Sequence, residues 1–195
     1  MTVRLPAATR RRQLLETATI TFGKEGFHAT SMNDVADAAG VTKPVLYQHF
    51  ASKEALFEAV LAHVGDVLRT SIEASVAPAE GPRERVEKGF QAYFEFLRDR
   101  REAARVLFGE ARRTDESISA EADRAVQSIA DMVTDLIEVE GLDRPAREVL
   151  ANAIVGLAEG AGRHWARHHD EISAERLASL VAELAWAGLR GAGPV

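Results

Sequence analysis

The chain has 195 residues, 46% hydrophobic and 28% charged, a balance that excludes a disordered polymer and fits one compact domain or a small module joined to a larger one. With no cysteine it can hold no disulfide, thiol nucleophile or cysteine-ligated metal, and no run of about 18 apolar residues is present to span a bilayer. The net charge of −6 conceals a division: residues 1–53 carry seven Lys/Arg against four Asp/Glu, a net of +3, while residues 54–195 carry seventeen against twenty-six, a net of −9. A basic head on an acidic body is expected where one end meets phosphate and the other must not.

The start of the chain, MTVRLPAATRRRQ, is basic but is followed by no apolar signal-peptide core, so a cytoplasmic protein is expected. From there apolar residues recur at intervals of three and four, as in Phe57, Leu61, Val64, Leu68 and Ile72, and no segment alternates with period two. Helices are predicted near 7–24, 31–39, 42–49, 52–77, 82–99, 101–113, 116–139, 144–169 and 173–190. Breakers separate them at Pro78 with Gly81-Pro82, Thr114-Asp115, Gly141 to Pro145, and Asp170 to Ser173. The fold class is all-α.

In the first helix Leu14, Leu15, Ala18 and Phe22 share one apolar face, and Gly26 stands where a helix C-terminus closes. Ser31 and Asp34 have capping-box spacing, with Val35, Ala36 and Ala39 on the buried side of the helix they open. Gly40 supplies a tight turn, Val41 fills its corner, and Thr42 is placed to cap the helix TKPVLYQHF, whose Pro44 sits in the first turn, where a missing N–H costs little. Two short helices joined by a glycine turn behind a supporting helix make a helix-turn-helix. With Leu46 and Phe50 turned inward, Lys43, Val45, Gln48 and His49 are left outward as probes for base edges in the major groove. Thr30, Ser31, Thr42 and Lys53 lie at helix starts, where backbone N–H groups attract phosphate oxygens.

The stretches LLETATITFGKEGFHATSMNDVADAAGV and TKPVLYQHFASKEALFEAVL resemble the DNA-binding domain of the TetR family, most specifically in Leu46-Tyr47-Gln48-His49-Phe50 and Ser52-Lys53-Glu54-Ala55-Leu56. Thr21, where an apolar residue is usual, departs from the pattern. The resemblance implies phosphate contacts by Thr30, Tyr47 and Lys53, and an approach to bases or their flanking backbone by Lys43, Pro44, Gln48 and His49. It divides the chain into a helix-turn-helix domain, 1–53, and a helical effector-binding and dimerisation domain, 54–195. Helix 52–77 would link the two, and the two late helices would pair with their copies in a homodimer on a double-stranded, palindromic operator. Repression relieved by a small molecule is the usual output, with activation left open.

Beyond the matched quarter of the chain, helix 144–169 shows two apolar faces: Leu150, Ile154, Leu157, Ala161 and Trp165 on one, Val149, Ala153, Gly156 and Gly160 on the other. Leu177, Leu180, Val181 and Leu184 give the last helix a broad apolar side, and a helix apolar over most of its circumference must be covered. A twofold interface of these two helices covers both. For an effector pocket the candidates are Phe90, Tyr93, Phe94, Leu97, Phe108, Ile129, Met132 and Val133, joined by Leu107 and Leu136. Such residues line apolar ligand sites, and they line filled cores equally well. Their sparse charge points to a lipophilic effector, one bearing an acyl chain being a candidate.

His164 and His168 stand four apart beside His169, Asp170 and Glu171, a spacing compatible with a metal. Their place at a helix C-terminus beside Arg163 and Arg167 fits dipole compensation better. Arg98, Arg100, Arg101, Arg105, Arg112 and Arg113 read as a solvated face with Glu102 and Glu110 as partners, an anionic head group being the alternative. No nucleophile–base motif, glycine-rich phosphate loop or paired carboxylates argue for an enzyme, no cofactor or metal is called for, and no membrane partner is expected. A DNA-wrapping architectural protein would need more extended positive charge than the acidic body offers.

Overall fold

A computed structural model describes residues 6–109, 116–167 and 171–192. The described residues form nine helices and no strand: α1 (Ala7–Glu25), α2 (Met32–Ala38), α3 (Lys43–His49), α4 (Lys53–Val76), α5 (Pro82–Asp99), α6 (Arg101–Phe108), α7 (Glu116–Leu136), α8 (Arg144–Trp165) and α9 (Ala174–Arg190). The all-α reading is correct. Among the described residues no helix is long and apolar enough to cross a membrane.

Local chemistry sets most of the boundaries. Gly26 ends α1 at φ +84°, its N–H donating to the Phe22 carbonyl at 2.8 Å, and Gly40 takes φ +64° in the turn between α2 and α3. The capping box is complete: the Ser31 N–H donates to Asp34 Oδ2 at 2.8 Å and the Asp34 N–H to Ser31 Oγ at 3.3 Å. Bonding to the Ser31 backbone N–H, then to its hydroxyl, holds the Asp34 carboxyl below its ordinary range. Asp143 and Ser173 cap α8 and α9 through the N–H groups of Ala146 and Arg176.

Four expectations need correction. Thr42 occupies the cap position of α3, but only its carbonyl serves the helix, accepting from Val45 and Leu46. Helix α7 stops at Leu136, not 139, ahead of a turn through Gly141 at φ +83°. Helix α6 ends at Phe108, before Gly109, and α8 at Trp165, where 113 and 169 were expected. Arg112, Arg113, His168, His169 and Asp170 lie outside the described residues.

The chain falls into two compact units. The first takes in the described parts of Met1–Val64 and Arg101–Arg124, and so holds α1, α2, α3, α6 and the opening portions of α4 and α7. Its centre is an aromatic cluster: the Phe57 ring meets Phe22 edge-on at 4.9 Å and Phe27 at 4.9 Å. Gly23 brings α1 onto α6 with backbones almost touching. A Cβ built there would stand 2.5 Å from the Glu102 carbonyl oxygen and 2.6 Å from its Cα, groups that cannot yield unless α6 moves. Gly23→Ala is expected to destabilise the protein by about 1–3 kcal/mol through overpacking, outweighing the roughly 1 kcal/mol that alanine adds to a helix. Urea denaturation checks the sign; a raised midpoint would mean that α6 gives way freely.

The second unit takes in Gly65–Arg100 and the described parts of Ala125–Val195. Its central helix is α5, where Phe90, Ala92, Tyr93, Phe94, Phe96 and Leu97 are all buried. Helices α8 and α9 pack beside it, and on the surface Arg83 pairs with Glu183 at 2.9 Å and Arg98 with Glu175. The inward edge of α8 is built mainly of small residues. Ala151, Ala158 and Gly162 are buried with Trp165, while Leu150, Ile154, Leu157 and Ala161 are half-buried. Small residues are needed because Leu97 and the Tyr93 hydroxyl lie 2.8 Å and 3.1 Å from where a Gly162 Cβ would stand.

Candidate functional site

Helix α3 is seven residues long and anchored on one side. Leu46 is wholly buried and Phe50, which follows the helix, nearly so. Lys43, Pro44, Tyr47 and Gln48 are therefore exposed, and Val45 and His49 are half-buried at the edge. Tyr47 keeps 44% of its surface in solvent, unusual for an aromatic ring in a helical module, with the Lys43 ammonium 6.0 Å from its centroid. That face offers a cation, a phenol and a carboxamide within two turns, the groups that bond phosphates and base edges.

The expected phosphate contacts are placed unevenly. Ser31 is exposed, though its N–H and hydroxyl both bond Asp34. Thr30 is only 2% exposed and its hydroxyl donates to the Gly26 carbonyl at 2.8 Å, so that side chain is turned away from any phosphate. Its inward turn follows from its position at the end of the α1–α2 connection, where the Gly26 carbonyl accepts both its backbone N–H, at 3.2 Å, and its hydroxyl. The Lys53 ammonium donates to the carbonyls of Phe27 at 3.0 Å and Thr30 at 3.1 Å, and stands 4.4 Å over the Phe27 ring. Two of its three protons thus tie the first residue of α4 to that connection, leaving one for an external oxygen.

Among the effector candidates, Phe90, Tyr93, Phe94, Leu97 and Ile129 are buried in the second unit, with Met132 and Val133 half-buried. Phe108 belongs to the first unit and is half-buried. The Tyr93 ring meets Phe94 edge-on at 5.1 Å, and Phe94 lies parallel to Phe90 at 6.4 Å. Of the interface candidates, Val149, Ala153, Gly156, Leu180 and Leu184 are exposed, Gly160 and Leu177 are half-buried, and Val181 is buried within its own chain. A Cβ added at Gly156 or Gly160 would meet nothing within 4 Å.

Two family models cover most of this chain. Residues 14–60 match that of the bacterial regulatory proteins of the tetR family, and residues 82–188 that of the tetracyclin repressor-like C-terminal domain. The chain belongs to the TetR family. It is 33% identical to the HTH-type transcriptional activator FasR of Mycolicibacterium smegmatis over 187 residues, 95% of this chain and 85% of that one. It is 36% identical to the HTH-type transcriptional repressor KstR2 of the same species over 106 residues, 54% and 52% of the two chains. Among solved structures, the regulator FadR from Bacillus subtilis in complex with stearoyl-CoA shares the fold at a TM-score of 0.77 and 17% identity, covering 89% of this chain and 96% of that one.

As a TetR-family protein this is a transcriptional regulator with an N-terminal helix-turn-helix, and the matched families contain regulators and not enzymes. One feature of the TetR head escaped the sequence. The Arg11 guanidinium lies 4.9 Å over the Phe50 ring, which sets the basic first turns of α1 beside the end of α3. The run Arg10-Arg11-Arg12 was the available signal, but nothing in its spacing specified a partner. In the second unit the residues around Tyr93, namely Gly162 with Glu159 and Arg163 on α8, show no pattern in a linear reading.

Proposed function

We propose that the protein is a ligand-controlled regulator that binds a pseudo-palindromic operator as a cytoplasmic homodimer and is released from it by a small lipophilic molecule. The observation that carries the reading is the exposed face of α3, with Lys43, Tyr47 and Gln48 outward and Leu46 and Phe50 anchoring the helix behind them. Two such heads about 34–36 Å apart meet successive major grooves on one side of a duplex. An effector bound among α5, α7 and α8 acts by shifting α4, changing that spacing so that one head alone seats well. The buried aromatic series on α5 supports an apolar ligand. FadR, with the same fold, was solved in complex with stearoyl-CoA.

Repression by occlusion of a promoter is the simplest output of such a dimer. The similarity to FasR over 95% of this chain favours a second reading, activation, in which the operator lies upstream and bound protein recruits polymerase.

Selection of bound fragments from random duplexes, followed by substitution, tests the DNA role. Gln48→Ala is expected to relax preference at particular base positions by roughly 1–3 kcal/mol each. Lys53→Ala should weaken specific and random duplexes alike, steepen no base preference, and also lower the melting temperature because two carbonyls lose their donor. Equal loss on all sequences with Gln48→Ala would remove that residue from base reading.

A further inference from the structure

The apolar stripe of α1 begins with a cation. Leu15, Ala18 and Phe22 are buried on one face, and one turn earlier on that face, four residues before Leu15, stands Arg11. An apolar residue there would close the core over Phe50, the residue that ends α3. Instead the Arg11 guanidinium lies 4.9 Å over the Phe50 ring, the ring buried and the arginine exposed. A contact with the face of a ring uses none of the five N–H donors of a guanidinium. Among the described residues those donors meet no acceptor in the chain, and Arg11 has no acidic partner. Arg10 donates to Gln13 at 2.9 Å, and Arg12 is a further exposed cation. No acid stands in the first turn of α1 to offset the three. Cations gathered where a helix disfavours them are expected when their partner is outside the chain.

The position of Arg11 relative to α3 selects that partner. Seven residues give α3 an axis about 10 Å long at 1.5 Å per residue. With its first turn at the base edges of a groove about 8.5 Å deep, its far end stands at the groove's rim, where the phosphates run. Phe50 is at that far end and carries the Arg11 cation on its ring. We propose that Arg11 is a phosphate clamp of the reading head, its guanidinium positioned by Phe50 and donating to one backbone phosphate at the edge of each half-site. The inference rests on α3 reading the operator, as above, and adds a DNA contact made by α1. Arginine suits the task because its planar fork takes two oxygens of one phosphate, where a lysine supplies only a point charge.

The test uses the full-length protein on its selected operator, with one phosphate at a time replaced by a neutral methylphosphonate. Each comparison sets two duplexes against the same protein, so any loss of folded protein in a variant cancels. Neutralisation is expected to weaken the wild type at several phosphates. At one per half-site the weakening, about tenfold and the order of one charge-assisted hydrogen bond, should vanish in Arg11→Met, which keeps an unbranched apolar side chain on Phe50. Arg11→Met should also lose about tenfold on specific and random duplexes alike, and the slope of affinity against salt should flatten by about one for each seated head. Arg11→Lys should keep the slope and recover only part of the affinity. The inference is overturned, with the role of α3 intact, if no phosphate separates the wild type from Arg11→Met, or if the loss is confined to one base identity. An unchanged salt slope with a lowered melting temperature overturns it too, leaving Arg11 as a cover for Phe50. A wild type that selects no operator instead overturns the operator reading, and this inference with it.

Discussion

Phe94→Ala is expected to cost about 3–5 kcal/mol of stability, the range for removing a buried aromatic side chain. Phe94 has no solvent exposure, sits on the central helix of the second unit, and holds ring contacts to both Phe90 and Tyr93. Truncation would lose the transfer free energy of the ring and leave a void whose walls, being helices fixed by other contacts, close only in part. In a protein of this size such a loss lowers the melting temperature by roughly 6–20 °C. Circular dichroism on the ligand-free protein measures it directly. Met132→Ala should cost less, because Met132 is half-buried. A Phe94→Ala protein that melts like the wild type but no longer responds to effector would instead mark Phe94 as a cavity wall.

The second large effect concerns assembly. Val149 and Leu184 keep 69% and 62% of their surface exposed on α8 and α9, and Leu180 is nearly half exposed. Gly156 and Gly160 leave open space where a side chain would stand. Apolar side chains beside glycines let a second pair of helices come close enough for backbone contact. The wild type is therefore expected to sediment as a dimer at micromolar concentration, and Leu184→Glu to shift it to monomer by placing a charge in the seam. Operator affinity should then fall by a factor on the order of 10²–10⁴, since the second head no longer binds intramolecularly. A wild type that sediments as a monomer would contradict the interface.

Where the determinants are local, the sequence was legible. Gly26, the Ser31–Asp34 box, Gly40 and Pro44 each act within a few residues, and each appears in the structure where its chemistry required it. The anchoring of α3 by Leu46 and Phe50 was likewise readable from helical spacing. Less legible was whatever depended on distant partners. The acceptors for Lys53 lie 23 and 26 residues back in the chain, and no periodicity points to them. The buried edge of α8 is made of Ala151, Ala158 and Gly162, too small to register as an apolar stripe, while the more conspicuous Leu150 and Leu157 are only flanks. Val181 looked equivalent to Leu180 and Leu184 in composition, yet the turn of α9 sends it inward. Thr30 belongs to the same class, since its hydroxyl is committed by the conformation of the connection and not by its residue type.

The near-contact of α1 with α6 bears on how the reading head can be borrowed. The family model for DNA binding ends at residue 60, which invites chimeras that graft one regulator's first 60 residues onto another's body. Yet Gly23 is shaped to the backbone at Glu102, more than 70 residues downstream, so the physical module is discontinuous along the chain. A graft at residue 60 would set one protein's α1 against a foreign α6, whose backbone has no reason to follow the groove that Gly23 opens. Heads exchanged together with their own α6 should carry their specificity intact, whereas heads exchanged alone inherit a mismatched floor.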